Sequence, residues 1–470
     1  MLDDVMHKKF IGLLGEQGFL TEADKMQPYL QEWRDLYQGR ALAVARPNST
    51  EMVAQTILLA KEYGLKIIPQ GGNTGLVGGQ VAESEQEHLI LSLERMTKIR
   101  EIDPISNIMI VDAGVILQNI QQAADKVDRF FPLSLASEGS CQIGGNLSTN
   151  AGGVNVLSYG NTRDLCLGLE VVLADGRIWD GLRCLKKDNT GYDLKHLFIG
   201  AEGTLGIITA AVLKLVAKPR RYETFFCALP SPDAALTLLN QCKEKFGASL
   251  TSFELISALG HELSIKHAGA KRMMTTSAPW FVLGELSLGT EAGDEADILS
   301  HLLEEALSDH FILDAVLAQS EQQRKEIWHL RESLSAAQKP EGGSIKNDIS
   351  IPIALIPQFI ERAAVIVDSV VADARPVIFG HMGDGNLHYN ISQPVAMDKQ
   401  DYLLTWDSMT SAIDVLVIEM NGSISAEHGI GKMKKEKMRA IKSDVELELM
   451  QKIKQAIDPD HLFNPGKLLP

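Results

Sequence analysis

Short apolar runs broken by glycine, asparagine, aspartate and proline fill the first half of the chain, and longer helical spacings follow in the second. Residues 1–40 place apolar positions at helical intervals and predict a partly amphipathic N-terminal helical segment. At Ala41 the texture changes. Residues 41–45 read as a strand, and Ser49 or Thr50 is placed to cap a helix running to about Tyr63. Further strands are expected at 66–68, 88–93 and 108–111, and residues 167–173 form a buried-type run closed by the turn pair Asp175-Gly176. Beyond Val216-Ala217-Lys218-Pro219 the glycine density falls, which sets a domain boundary near 220. A helix is expected over about 321–338, a period-two strand over 344–351, and helices after 430. Such alternation of strands and helices defines an α+β or mixed α/β chain.

Composition sets bounds on this picture. With 470 residues, 45% of them hydrophobic, the chain is long enough for two or three domains with their own cores. A formal charge of −16 argues against a nucleic-acid surface, so an anionic substrate would need a local basic pocket. The five cysteines are odd in number, widely spaced and without a C-x-x-C pair, which disfavours both a disulfide framework and a cysteine zinc site. His7, Lys8 and Lys9 interrupt the apolar positions near the N-terminus, unlike a signal-peptide core. No stretch approaches the roughly 20 apolar residues of a membrane span, and the expected compartment is cytoplasmic.

Two kinds of segment carry chemistry. The first is His381-Met382-Gly383-Asp384-Gly385-Asn386-Leu387-His388, entered by the apolar run 377–379 and left by 387–391. Gly383 and Gly385 suit a tight reversal, so a hairpin would bring the two imidazoles together from neighbouring strands. Glu427-His428-Gly429 would add a carboxylate and a further imidazole. Two histidines and one carboxylate can hold zinc, iron or manganese and leave coordination positions open for a substrate. The second kind is glycine-rich. Pro69 to Gly79, Ser137 to Gly153 and Gly200 to Ile208 are three tracts of glycine, small and amide residues. Backbone N–H groups in such tracts can approach a phosphate closely. The first tract is neither a Walker loop nor a Rossmann fingerprint. Together the tracts suggest a long, phosphate-bearing cofactor.

These three tracts, in this order, resemble the FAD-binding domain of the vanillyl-alcohol oxidase flavoprotein superfamily. The set His381, His388 and Glu427 resembles the branch that contains D-lactate dehydrogenase, glycolate oxidase flavoprotein subunits and D-2-hydroxyglutarate dehydrogenase. The resemblance runs from about residue 40 to Pro470. It implies an α+β chain with a helical segment at 1–40, a two-part FAD-binding domain at 41–219, an α+β substrate domain at 220–425, and a helical C-terminal segment at 426–470 returning to the FAD domain. The FAD contacts it implies are Gly71, Gly72, Asn73, Thr74, Gly75, Ser140, Gly144, Gly145, Asn150, Gly153, Ile207 and Asn464. Many superfamily members attach FAD through a histidine in the first loop. No histidine stands between residues 8 and 87 here, so non-covalent FAD is expected. His381, His388 and Glu427 carry over as metal ligands, with zinc as the implied ion. Asn386 carries over as a group near the substrate, and His428 as general base and substrate contact.

The substrate class implied is a D-2-hydroxy acid. Arg331 and Ser335 are expected on one helix face, and Lys346 on the strand that also carries Asp348. Their offsets match those of D-2-hydroxyglutarate dehydrogenase, which has threonine where this chain has Ser335. Arginine and lysine converging in an acidic protein suit a dianion. D-2-hydroxyglutarate is therefore the favoured substrate, with D-malate second and D-lactate or glycolate as the alternative. A non-catalytic flavoprotein subunit is a reading of another class, and a zinc hydrolase would leave the glycine tracts unexplained. The electron acceptor expected is an electron-transfer flavoprotein or a quinone-linked carrier, and the resemblance carries a homodimer as the expected assembly.

Overall fold

Ser49 caps its helix as the pattern predicts: its hydroxyl accepts the Met52 N–H at 3.2 Å, and the helix Thr50–Glu62 runs from there to Tyr63. In the computed structural model, which describes residues 3–470, the chain forms two units. One comprises the chain as far as Gly153 together with Gly160–Lys218 and Glu427–Pro470, and the other comprises Val154–Tyr159 and Pro219–Ala426. Of the N-terminal helical segment, Met1 and Leu2 lie outside the described residues; the remainder supplies the helices Asp4–Leu14 and Ala23–Leu30.

The first unit contains two main sheets. Arg40–Ala45, Glu83–Ser92 and Lys66–Gln70 pair in parallel, with the short strand Phe19–Leu20 antiparallel at the edge. The second sheet is antiparallel and five-stranded, in the order Ile99–Asp103, Ile108–Asp112, Ile207–Lys214, Cys166–Val172, Ile178–Gly181. The C-terminal residues join this unit through Phe463, which bridges Ile67 in parallel, and through the Asn464 N–H, which donates to the Ile67 carbonyl at 2.8 Å.

A seven-stranded antiparallel sheet builds the second unit, in the order Asp314–Leu317, Arg221–Leu229, Trp280–Leu288, Leu250–Ser257, Arg375–His381, Asn386–Ser392, Ser344–Ser350. Because opposed residues of an antiparallel pair share a face, the register places Phe226, Leu283, Ile256 and Phe379 on one side. That side packs against Leu263 of the helix Ala258–Ala268 and against Ile327, Trp328 and Leu330 of the helix Glu321–Glu332. The same face carries a polar row: Glu254 stands opposite His381, and Asp348 opposite His388.

Three local expectations change. The helix expected over 321–338 is broken at Ser333 into Glu321–Glu332 and the short helix Leu334–Ala337; the Ser333 hydroxyl turns back to the Leu330 carbonyl at 3.1 Å and meets the Ser264 hydroxyl at 2.9 Å. The tract 137–153 contains a short helix, Ile143–Ser148, instead of running as loop throughout. Residues 154–159, read as part of the FAD domain, belong to the second unit, where the Ser252 hydroxyl donates to Val154 O at 3.0 Å and Ser158 to Ala248 O at 2.7 Å.

Candidate active site

In the first unit the three glycine tracts converge. Gly71 lies against Gln142 and Gly145 of the second tract, while Gly203 of the third tract abuts Pro69 of the first. At Gly203 the absence of a side chain is what permits this, since a Cβ there would strike Pro69. A Cβ on Gly72 would collide with the backbone carbonyl of Ser140, whereas a Cβ on Gly145 would meet nothing within 4 Å, so its backbone borders open space. Gln70 Oε1, Gln142 Oε1, Asn146 Oδ1 and Asn464 Oδ1 are buried without a hydrogen-bond partner among the described residues. Unpaired buried acceptors beside a glycine-lined opening fit a ligand with ring N–H and hydroxyl donors, as FAD has. Gly72→Ala is expected to lower the FAD content of the purified protein and its melting temperature, by about 1–3 kcal/mol of overpacking strain. Absorbance in the flavin band and thermal unfolding read the two effects, and wild-type values for both would show that the loop gives way.

The other implied FAD contacts have mixed settings. Asn73, at φ 55°, donates its amide to Pro28 O and Gln31 O at 3.0 and 2.8 Å, which pins the loop. The Gly75 carbonyl accepts from Gln80 at 2.8 Å, and Thr74 is half-buried between them. Ser140 is exposed. Gly144 is packed against Ala113, and Ile207 is interior to its sheet, opposite Val172. Asn150 accepts the Arg163 N–H at 3.0 Å. Asn464 donates to the carbonyls of Gly79 and Glu202 at 3.0 and 2.8 Å, tying the C-terminus to two tracts.

Glu202 was not anticipated. Its carboxylate is buried and accepts the backbone N–H groups of Ile430 and Gly431, each at 2.7 Å. Burial raises its pKa, against the two N–H donors that lower it. The residue therefore clasps the segment immediately after Glu427 and His428. A single carboxylate among the glycines of 200–206 was the sequence signal for it. At the head of that segment the Glu427 carboxylate accepts the Gly153 N–H at 2.6 Å, and Gly153 itself sits at φ 109°.

In the second unit the reversal at 381–388 forms as a hairpin. The Gly385 N–H donates to His381 O at 3.1 Å, and Asp384 Oδ1 accepts the Asn386 N–H at 3.0 Å. Only Gly385, at φ 93°, needs the left-handed backbone; Gly383 is required for space, since a Cβ there would press on Leu157. His381 and His388 are brought together with ring centroids 5.6 Å apart, nearly edge to face. Glu427 follows directly on Ala426, the last residue of this unit.

Glu254, again unanticipated, organises the hairpin's neighbourhood. Its Oε1 meets His381 Nδ1 at 2.7 Å and its Oε2 accepts the Arg331 Nε–H at 2.6 Å. Burial alone would raise its pKa, yet Arg331 and His381 hold it down to about 2. A carboxylate on the outer nitrogen of a histidine is the usual support for a metal-bound imidazole, so the donor set fits a divalent ion. Arg331 is 7% exposed, lies over the Phe379 ring at 5.0 Å, and has its Nη2 buried without a partner. Asn386 gives its amide nitrogen to Asp348 and Ile349 O at 3.1 and 2.9 Å and keeps Oδ1 unpartnered. Lys346 stands on the face of Asp348, as expected. Ser335 does not join Arg331, because past the break at Ser333 it is exposed.

Comparison with known proteins gives the chain's family. Residues 41–181 match the model described as FAD binding domain, and residues 218–468 match that of FAD linked oxidases, C-terminal domain. A D-2-hydroxyglutarate dehydrogenase of Xanthomonas citri pv. viticola is 36% identical, over 95% of this chain and 93% of its own length. That of Stutzerimonas stutzeri is 34% identical over 96% and 95%. A mitochondrial D-2-hydroxyglutarate dehydrogenase of Danio rerio is 37% identical over 96% of this chain and 83% of its own. Among solved structures, substrate-bound p-cresol methylhydroxylase superposes with a TM-score of 0.77 at 17% identity, covering 99% of this chain and 96% of its own. Fold and cofactor unit thus define an α+β flavoprotein of the vanillyl-alcohol oxidase type, an FAD-dependent oxidoreductase acting on a hydroxy acid. More narrowly, the chain belongs to the family of FAD-linked oxidases that includes the D-2-hydroxyglutarate dehydrogenases. Among the described residues no helix is long and apolar enough to cross a membrane.

Proposed function

We propose that the chain oxidises D-2-hydroxyglutarate to 2-oxoglutarate, with D-malate as a second substrate, and passes the electrons to an acceptor other than oxygen. The observation that carries this reading is Arg331: a buried guanidinium with one unsatisfied nitrogen, tied through a shared carboxylate to one of two paired histidines. A 2-hydroxy diacid has two ends that match. Its hydroxyl and adjacent carboxylate suit the His381, His388 and Glu427 set, and its distal carboxylate suits Arg331, with Lys346 adding charge on the same sheet face.

His381, His388 and Glu427 would hold a divalent ion, zinc in this reading, which would supply Lewis acidity toward the substrate hydroxyl. The converging glycine tracts would hold FAD without a covalent link, and it would supply the acceptor for a hydride from C2. His428 takes the hydroxyl proton, a task for which imidazole is suited near neutral pH. Glu202, by holding Ile430 and Gly431, keeps the backbone beside that histidine in place. Asn386 presents Oδ1 as an acceptor, and the exposed Ser335 is given no role. The dehydrogenase names of the relatives support a carrier such as an electron-transfer flavoprotein or quinone-linked protein over oxygen. A homodimer is the assembly we expect from the family resemblance.

Dye-linked turnover with D-2-hydroxyglutarate, D-malate, D-lactate and glycolate tests the reading, alongside zinc analysis before and after chelation. The diacids should show the highest kcat/KM. Chelation should cost about a hundredfold or more, the scale of several kcal/mol of Lewis-acid stabilisation, and zinc should restore it. Activity confined to D-lactate or glycolate would remove the diacid assignment. Bound FAD without turnover on any of the acids would favour a non-catalytic flavoprotein subunit.

A further inference from the structure

Two arginine–glutamate pairs link the helix Glu321–Glu332 to the sheet beneath it, and they differ in a telling way. Arg324 and Arg331 lie two turns apart and so point to the same face. Arg324 grips Glu285 with two nitrogens, at 2.7 and 2.8 Å, and the Trp328 indole and Thr224 hydroxyl complete that carboxylate at 2.7 and 2.6 Å. Its guanidinium also stacks over Tyr222 at 4.0 Å. This pair is closed within the protein. The Arg331–Glu254 pair is open at its arginine end, where Nη2 is buried without a partner, and its carboxylate is shared with His381.

We propose that Glu254 is a positioning residue that sets the spacing between the metal ligand His381 and the substrate arginine Arg331, and thereby the length of diacid the site accepts; this rests on the functional reading above. The physical basis is the division of one rigid carboxylate between two donors. An ionised carboxylate only accepts hydrogen bonds, so His381 must carry its proton on Nδ1, which makes Nε2 the ligating nitrogen and fixes the ring plane. The other oxygen fixes the guanidinium through Nε, which aims Nη2. Neither the ring nor the guanidinium can shift without breaking a bond to the same buried group. Glutamine cannot reproduce this, because its NH2 would face one of the two donors. Aspartate keeps the charge but is one methylene too short to reach both.

The full-length flavoprotein carrying Glu254→Gln tests the proposal through two readouts: zinc affinity by competition with a chromophoric chelator, and the ratio of kcat/KM for D-2-hydroxyglutarate to that for D-lactate. Zinc binding should weaken about 10–100-fold, as expected when a partner supporting a ligand is lost. The diacid preference should fall by a similar factor. Glu254→Asp should show the same two losses and replaces the glutamine variant if that one does not fold. Wild-type zinc affinity together with an unchanged substrate ratio in a folded variant would reduce Glu254 to a structural ion-pair partner and overturn the proposal. A wild-type protein that binds no zinc and oxidises none of the acids would instead overturn the functional reading, before any variant is compared.

Discussion

Replacing His428 by asparagine is expected to lower kcat by about 10²–10⁴-fold, the usual contribution of a positioned proton acceptor, while leaving FAD content and thermal stability near wild type. The expectation of preserved structure comes from the segment around it. Ile430 and Gly431 are held by Glu202, and Glu427 is tied to Gly153, through bonds that do not involve the imidazole. Asparagine retains polarity and hydrogen-bonding capacity but cannot take a proton near neutral pH. Reduction of the bound flavin by D-2-hydroxyglutarate in a stopped-flow instrument isolates this step from reoxidation. Near-wild-type flavin reduction in the variant would remove His428 from the proton transfer.

Arg331 should give the second large effect, and it separates stability from recognition. Arg331→Leu leaves the buried Glu254 carboxylate facing His381 alone, and breaking one side of a buried ion pair costs about 3–5 kcal/mol. The double variant Arg331→Leu/Glu254→Leu removes the stranded charge and should recover much of that loss. Arg331→Lys keeps a cation for Glu254 but gives up the planar fork. Its kcat/KM for D-2-hydroxyglutarate should drop about 10–100-fold, the worth of one hydrogen bond to a charged group, with a smaller change for D-lactate. Urea unfolding of the two leucine variants and paired kinetics of the lysine variant read these outcomes. Equal losses on both acids would detach Arg331 from the distal carboxylate.

How much of this was legible in the sequence depended on distance along the chain. The hairpin at 381–388 could be read directly, because its turn residues and flanking strands are contiguous. The cap at Ser49 was legible for the same reason. Glu254 was not, since its partners lie 77 and 127 residues away. A lone glutamate between Phe253 and Leu255 in an otherwise uncharged strand was the available signal, because a buried charge demands partners. The break at Ser333 depended on Ser264, a contact no local pattern contains. Glycine tracts announced a cofactor, yet composition did not tell which glycines face it: Gly145 borders open space while Gly144 is packed on Ala113.

The bridge between Ile67 and Phe463 bears on how this protein comes into being. Ile67 leaves the ribosome long before its closing partners, Phe463 and Asn464. The whole of the second unit is made between them, and closures over such separations are slow and entropically costly. During synthesis the second unit, drawn mainly from one continuous stretch, has its segments in hand sooner. The flavin-binding unit can therefore close only after the second unit has been made.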